Sequence, residues 1–333
     1  MLYPLKFKPL LKERIWGGSR MKSVLGKRLP SGKKIGESWE LSGIDGDLSV
    51  VANGYLAGND IGELIEVYMG DLVGDAVYEK FGVEFPLLIK FIDAAESLSI
   101  QVHPDDALAA QRHNAYGKTE MWYILDNAPG AGLYLGFERD VDRQEYLSSV
   151  ADGTLPDILA RVDVKPGDAY FIPAGTIHSI GGGVMLLEIQ QTSDITYRVF
   201  DWNRTDKDGN GRELHTDLAV DAIDFHRRDD LDITVAPEPH EAVPMQSCDY
   251  FASFVLSVDG AMTRPYVGLD SFVIYVCVDG SADMVWEDGR ENIAKGETVL
   301  IPAEIDEITL EGKARIIEVY IPTEGYNPDM STL

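Results

Sequence analysis

Residues 165–178 read KPGDAYFIPAGTIH, and residues 295–303 read KGETVLIPA. Each stretch opens with a lysine, a glycine and an acid, continues with four strand-forming residues and closes on Ile-Pro-Ala. The two copies predict two related β units in one chain. Aligning Pro173 with Pro302 sets an offset of 129 residues, which carries His178 onto Glu307. The second copy therefore lacks the histidine, and the apolar run SFVIYVCVDGSADM (271–284) before it offers no set of polar ligands.

Short β-like runs dominate between these landmarks: Leu87 to Ile92, Leu98 to His103, Met121 to Leu125, Leu133 to Phe137, Val184 to Gln190 and Ile195 to Phe200. Helical patterns fill the intervals at Ile61 to Val73, Ala107 to His113, Asp142 to Val150 and Thr216 to Phe225, the last with Thr216 as N-cap. The Pro-rich segment VAPEPHEAVP (235–244) separates the last helix from a new set of strands. A boundary there divides the chain into a unit over 1–234 that carries chemistry and a degenerate unit over 235–333.

Chemistry concentrates in two places. In SLSIQVHPDD (97–106) a strand puts Ser99, Gln101 and His103 on one face and Leu98, Ile100 and Val102 on the other. A lone strand histidine is more often a hydrogen-bonded packing residue than a ligand. A wholly polar inner face is different, because each buried unpaired polar group costs about 1–3 kcal/mol and a metal ion would satisfy several together. Glu120 opens the run Met121 to Leu125, and Lys118 lies two residues earlier, on the same strand face. His178 leaves the Pro-Ala-Gly turn at 173–175, and Gly181 to Gly183 let backbone pass close by. Gln101, His103, Glu120 and His178 are thus of the types that bind zinc, and only folding can unite them. In the strand Ile195 to Phe200, Asp194, Thr196 and Arg198 share a face. For Lys118 with Glu120, and for Asp194 with Arg198, the structural alternative is an ordinary ion pair.

The motifs SLSIQVHPDD, GKTEMWYIL (117–125), PAGTIHSIGGG (173–183) and LEIQQTSDITYRVFDW (187–202) occur in an order that resembles type I mannose-6-phosphate isomerases in their short bacterial form. KERIWGG (12–18) and IGESWELS (35–42) match as well. The resemblance spans nearly the whole chain. It implies a mainly β fold of tandem cupin (jelly-roll) barrels with a few added helices. It also implies one Zn2+ per chain on Gln101, His103, Glu120 and His178, and a sugar-phosphate pocket lined by Lys118, Asp194 and Arg198 as catalytic residues. Longer relatives carry a His where this chain has Gly117, so no role of that His transfers.

Aldose–ketose interconversion of mannose 6-phosphate and fructose 6-phosphate moves a proton between C1 and C2 through an enediolate. It requires a base, a cation for the developing oxygen charge and a means of ring opening. Arg198 suits the charge or the phosphate, Lys118 the ring oxygen, and Asp194 or a water the proton shuttle. Trp16 and Trp39 are pocket caps or core, and Arg20, Lys90 and Arg204 are further cations available to a phosphate. His113, His215, His226 and His240 read as surface or packing residues. Two other functions share the fold: a non-catalytic sugar-phosphate-binding regulatory cupin, and an iron-dependent cupin oxygenase, which would present more His and an apolar pocket.

Composition narrows the setting. The chain has 333 residues, 45% hydrophobic content and a net charge of −27 from 29 basic and 56 acidic residues. Such a field repels nucleic acid, while convergent Lys and Arg can still hold a small phosphorylated metabolite. No apolar stretch spans a membrane, and the Lys, Arg and Pro of MLYPLKFKPLLKERIWGG exclude a signal-peptide core, so a cytoplasmic monomer or weak homodimer is expected. Cys248 and Cys277 fit no metal or redox spacing and are expected as free thiols.

Overall fold

Strand alternation decides which side chains reach the interior. The computed structural model describes residues 1–205 and 208–326. Its N-terminal strands are β1 (Leu5–Lys6), β2 (Leu10–Gly18), β3 (Ile35–Ser42), β4 (Leu87–Asp93), β5 (Ile100–Val102), β6 (Glu120–Asn127), β7 (Gly132–Phe137), β8 (Leu159–Asp163), β9 (Ala169–Ile172), β10 (His178–Ile180), β11 (Val184–Gln191) and β12 (Tyr197–Phe200). After the Pro-rich segment come β13 (Ala242–Ser247), β14 (Ala252–Pro265), β15 (Val273–Trp286), β16 (Gly289–Ala294), β17 (Thr298–Ile301) and β18 (Glu307–Tyr320). The fold is mainly β, as the motifs predict.

Three antiparallel sheets result. One has six strands in the order β2-β3-β4-β11-β6-β9, and a second has five in the order β12-β5-β10-β7-β8. The third, of seven, runs β1-β17-β15-β18-β14-β13 with β16 on β15. In β11, Met185, Leu187 and Ile189 join the core shared with Ile274, Val276, Ile317 and Val319 of the seven-stranded sheet. Val184 and Leu186 face the other way, onto Leu133, Leu135 and Ile180 of the five-stranded sheet. Glu188 and Gln190 have the parity of Val184 and Leu186, so alternation sends them between the six- and five-stranded sheets. β4 and β6 repeat the pattern, with Lys90 beside Ile92 and Glu120 beside Trp122 and Ile124 on the inner face. β1 belongs to the N-terminal segment but pairs Leu5 with Leu300 and Lys6 with Val299.

The helices depart from the sequence pattern in two places. The segment 61–73 is two helices, α2 (Ile61–Tyr68) and α3 (Gly70–Val73), and α4 (Asp75–Phe81) follows. Met69 breaks the run at φ 46°, a left-handed conformation that a continuous helix excludes. The helices predicted from Ala107 and Asp142 appear as α5 (Asp106–His113), capped by Asp105, and α6 (Arg143–Asp152), capped by Asp142. Near residue 216 only Thr216–Ala219 is helical (α7), and His215, not Thr216, stands at the N-cap position without a side-chain cap bond.

Register makes the internal repeat explicit and corrects its alignment. In the first copy β6 pairs Glu120 with Ile172 of β9, and Trp122 with Glu188 of β11. In the second β15 pairs Val273 with Ile301 of β17, and Tyr275 with Glu318 of β18. Glu318 thus stands where Glu188 stands, and Val273 where Glu120 does. The Pro302 loop is one residue longer, so Glu307 is exposed and Ile308 takes the buried position of His178. Opposite Ile308 lies Arg264, as Gln101 lies opposite His178.

Arg264 is buried, forks onto Glu318 at 3.0 and 2.7 Å, and stacks 5.6 Å from the Phe254 ring. A guanidinium therefore supplies the interior cation of the second copy. Removing one partner of a buried pair leaves a bare charge, so Arg264→Met is expected to destabilise folding by about 3–5 kcal/mol in urea titrations, and Arg264→Met/Glu318→Leu to recover most of it. A single variant of unchanged stability would contradict this account of the pair.

Candidate metal centre

His178 opens β10 and pairs with Gln101 of β5, which pairs on its other side with Arg198 of β12. The three side chains form one row across the five-stranded sheet. Glu120 reaches toward them from the opposing six-stranded sheet. The ligating atoms of His103, Glu120 and His178 lie within 4.8 Å of one another, and all three residues are buried. Gln101 completes the group, its Nε2 lying 3.3 Å from His178 Nε2, and rotation of the amide presents Oε1 to the same point.

Both imidazoles are oriented by backbone. His103 Nδ1 donates to the Ile195 carbonyl and His178 Nδ1 to the Thr176 carbonyl, each at 2.8 Å. Nδ1 must carry the proton in both, which leaves the Nε2 lone pairs facing inward. Burial, and then Lys118, hold His103 well below the ordinary imidazole range, while burial holds His178 at about 4, so both rings are neutral near pH 7. His178 Nε2 faces Glu120 Oε1 at 3.4 Å, and that oxygen has no hydrogen-bond partner. Burial, and then Glu188, raise the Glu120 carboxyl to about 7, so the close approach to the neutral His178 imidazole is relieved by a proton on Glu120 or by a cation held between the two. The residues present therefore fit a divalent ion of zinc type, with two imidazoles, a carboxylate and an amide.

A buried polar network backs the cluster. Lys118 ion-pairs with Glu120 Oε2 and lies 3.2 Å from His103 Nε2 and 3.9 Å from Glu188. Burial opposes its charge, but Glu120 and Glu188 outweigh it and raise the lysine pKa. Glu188 accepts from Trp122 Nε1 at 2.8 Å and from Lys90 at 3.0 Å, and Lys90 also reaches Gln190 at 2.6 Å. Burial disfavours its carboxylate, but Lys118 and Lys90 hold it ionised. The sequence reading missed Glu188 and Gln190. Their signal was two polar residues at alternate positions of the apolar run Val184–Gln191.

Arg198 is half-buried. Its Nη1 donates to the Glu213 carbonyl at 2.9 Å, while its buried Nε has no partner. Burial, and then the nearby Arg212, lower its pKa. Asp194 is not brought into the cluster: it is exposed, and no hydrogen bond or ion pair reaches its carboxylate among the described residues. The strand predicted from Ile195 begins at Tyr197, because the Ile195 carbonyl turns to His103.

The remaining candidates are engaged elsewhere. Lys90 belongs to the buried network, Arg20 is held by Asp93, Asp126 and the Gly183 carbonyl, and Arg204 by Asp201 and the Ser97 carbonyl. Trp16 packs with Ile92 and Leu98 in the core, and Trp39 Nε1 donates to Glu37 at 2.7 Å. His113 bonds the Tyr197 hydroxyl, and His226 is exposed. Cys248 and Cys277 are free.

Facing antiparallel sheets around a buried His, Glu, His group define a cupin-type protein with a candidate metal centre. The family model "Phosphomannose isomerase type I, catalytic domain" matches residues 4–130, and "Mannose-6-phosphate isomerase, cupin domain" matches 242–321. A mannose-6-phosphate isomerase of Bacillus subtilis is 34% identical over 94% of this chain and 98% of its own length. One of Streptococcus mutans is 32% identical over 95% and 98%. The crystal structure of the mannose 6-phosphate isomerase from Bacillus subtilis superposes with a TM-score of 0.83 at 31% identity, covering 95% of this chain and 99% of that one. The chain belongs to the type I phosphomannose isomerases. No helix among the described residues is long and apolar enough to cross a membrane.

Proposed function

We propose that the chain is a zinc-dependent isomerase that interconverts mannose 6-phosphate and fructose 6-phosphate through an enediolate. The observation that carries this reading is the buried His103, Glu120, His178 group with Lys118 and Arg198 at its edge. Its relatives bear the name mannose-6-phosphate isomerase over nearly the full length. Residues 1–234 carry the reaction, and 235–333 support it without chemistry of their own.

Gln101, His103, Glu120 and His178 hold the zinc, which supplies Lewis acidity toward the sugar oxygens. Lys118, buried and protonated, donates to the ring oxygen as the pyranose opens. Arg198 has an unpaired Nε and stabilises either the enediolate oxygen or the phosphate. Proton transfer between C1 and C2 needs a shuttle, and for Asp194 that role runs through an intervening water, because the residue is exposed and outside the buried cluster. The enclosed charges favour an anionic substrate. Lys90 and Lys118 offset Glu120 and Glu188, so a divalent ion leaves a surplus of two positive charges opposite a phosphate dianion.

The test is incubation of zinc-loaded chain with mannose 6-phosphate in D2O, followed by NMR. Fructose 6-phosphate should accumulate to equilibrium, with deuterium entering at the transferred position to the extent that the shuttle exchanges with solvent. Binding of the sugar phosphate without conversion would leave the regulatory reading instead.

A further inference from the structure

A second cleft, of about 440 Å3, lies where the N-terminal segment and helix α1 (Met21–Leu25) meet the turn between β16 and β17. It shares no residue with the metal centre. Four cations line it, Lys6, Lys27, Arg28 and Lys295, against two acids, Glu40 and Glu297. Acidic residues outnumber basic ones 56 to 29 in the whole chain, so this local excess runs against the composition.

Once Glu291 and Asp279, which reach Lys6 and Lys295 from outside the lining, are counted, four acids face the four cations and Arg28 alone is left without a partner among the described residues. Lys27 and Glu40 form a buried pair at 2.5 Å, and Lys6 lies 3.2 Å from Glu297 and 3.4 Å from Glu291. Lys295 reaches Asp279, which does not line the cleft, at 3.2 Å. Arg28 has no hydrogen bond or ion pair among the described residues. An independent observation comes from the cleft wall: Thr298 is 5% exposed, and its hydroxyl is buried with no hydrogen-bond partner. A buried unsatisfied hydroxyl in a native fold calls for a reason. Positive φ at Gly26 and Gly296 brings the two walls together, since a Cβ on Gly296 would lie 2.4 Å from the Leu25 carbonyl oxygen.

We propose that this cleft is a second ligand site, which takes a small phosphomonoester. Arg28 supplies the free charge, Lys295 joins it by turning from its exposed pair with Asp279, and the buried, unpartnered Thr298 hydroxyl supplies a hydrogen bond as the ligand enters. Its volume is that of a small-molecule site, and Phe7 and Leu11 give it an apolar wall for the organic part of the ligand. The ligand would link segments far apart in sequence, 6–28 and 294–298, and so fasten the C-terminal sheet to the catalytic half. Because Glu40 lies on β3 next to Trp39, whose ring is 5.3 Å from Lys90, the occupant also sits two residues from the network behind the metal centre.

The test is isothermal titration of the zinc-loaded full chain with inorganic phosphate and with adenosine 5′-monophosphate, neither of which is the sugar substrate. At least one should bind saturably, and Arg28→Glu/Lys295→Glu should weaken it by about tenfold or more, which equals about 1.4 kcal/mol. Thr298→Val, nearly isosteric, should weaken binding while leaving the ligand-free protein at least as stable. Tighter binding of the nucleotide identifies an organic phosphate as occupant, and equal or better binding of phosphate alone identifies the free anion. Absence of saturable binding would overturn the proposal. So would binding that ignores these substitutions or disappears in Arg198→Ala, which would place the anion in the catalytic centre.

Discussion

Chelation of the purified chain is expected to remove isomerase activity by about three orders of magnitude or more, and zinc to restore it. Transition-state charge stabilisation by a bound metal is worth several kcal/mol, and each 1.36 kcal/mol is tenfold in rate. The structure adds a second readout that does not depend on turnover. Without a cation the buried Glu120 Oε1 has no hydrogen-bond partner and lies 3.4 Å from His178 Nε2. An ion that binds the folded state alone stabilises it by mass action. The melting temperature should therefore rise with zinc concentration and fall on chelation. Full activity in metal-free protein, with an unmoved melting temperature, would end the metal-centre reading.

Lys118→Met and Arg198→Ala should each lower kcat by about 10²–10³, the usual cost of removing one preorganised donor at developing charge. The two differ in what they do to the fold. Lys118 is buried against Glu120 and Glu188, so its loss strands carboxylates and costs about 3–5 kcal/mol of stability, partly offset by bound zinc. Arg198 is half-buried with one backbone acceptor, and its loss should leave stability nearly unchanged. A metallated, folded Arg198→Ala enzyme of wild-type turnover would remove Arg198 from the reaction, and the same result for Lys118→Met would make that lysine structural.

The cluster was legible in sequence because its parts sit at strand ends marked by turns. The Pro-Ala-Gly turn delivers His178, and the alternation in SLSIQVHP places Gln101 and His103. Glu188 and Gln190 were hidden for the opposite reason. β11 is buried on both faces, so Glu188 and Gln190 interrupt an apolar run and do not form a polar edge. Asp194 shows where periodicity misleads: a strand extended by two residues puts it beside Arg198, whereas the Ile195 carbonyl is taken by His103 and the strand begins later. The repeat was visible as KPGD and KGE, yet a one-residue difference in the following loop shifted the inward position from Glu307 to Ile308. No local pattern revealed Arg264 as the cation of the second copy, because its partner Glu318 lies 54 residues away.

The most direct measurement is anomalous diffraction at the zinc edge from crystals of the zinc-loaded chain. One peak bounded by His103 Nε2, His178 Nε2, the Glu120 carboxylate and the Gln101 amide, with none beside Arg264 and Glu318, is the predicted result. A map without a peak between the two facing sheets, or with its ion in the C-terminal sheet, would contradict it.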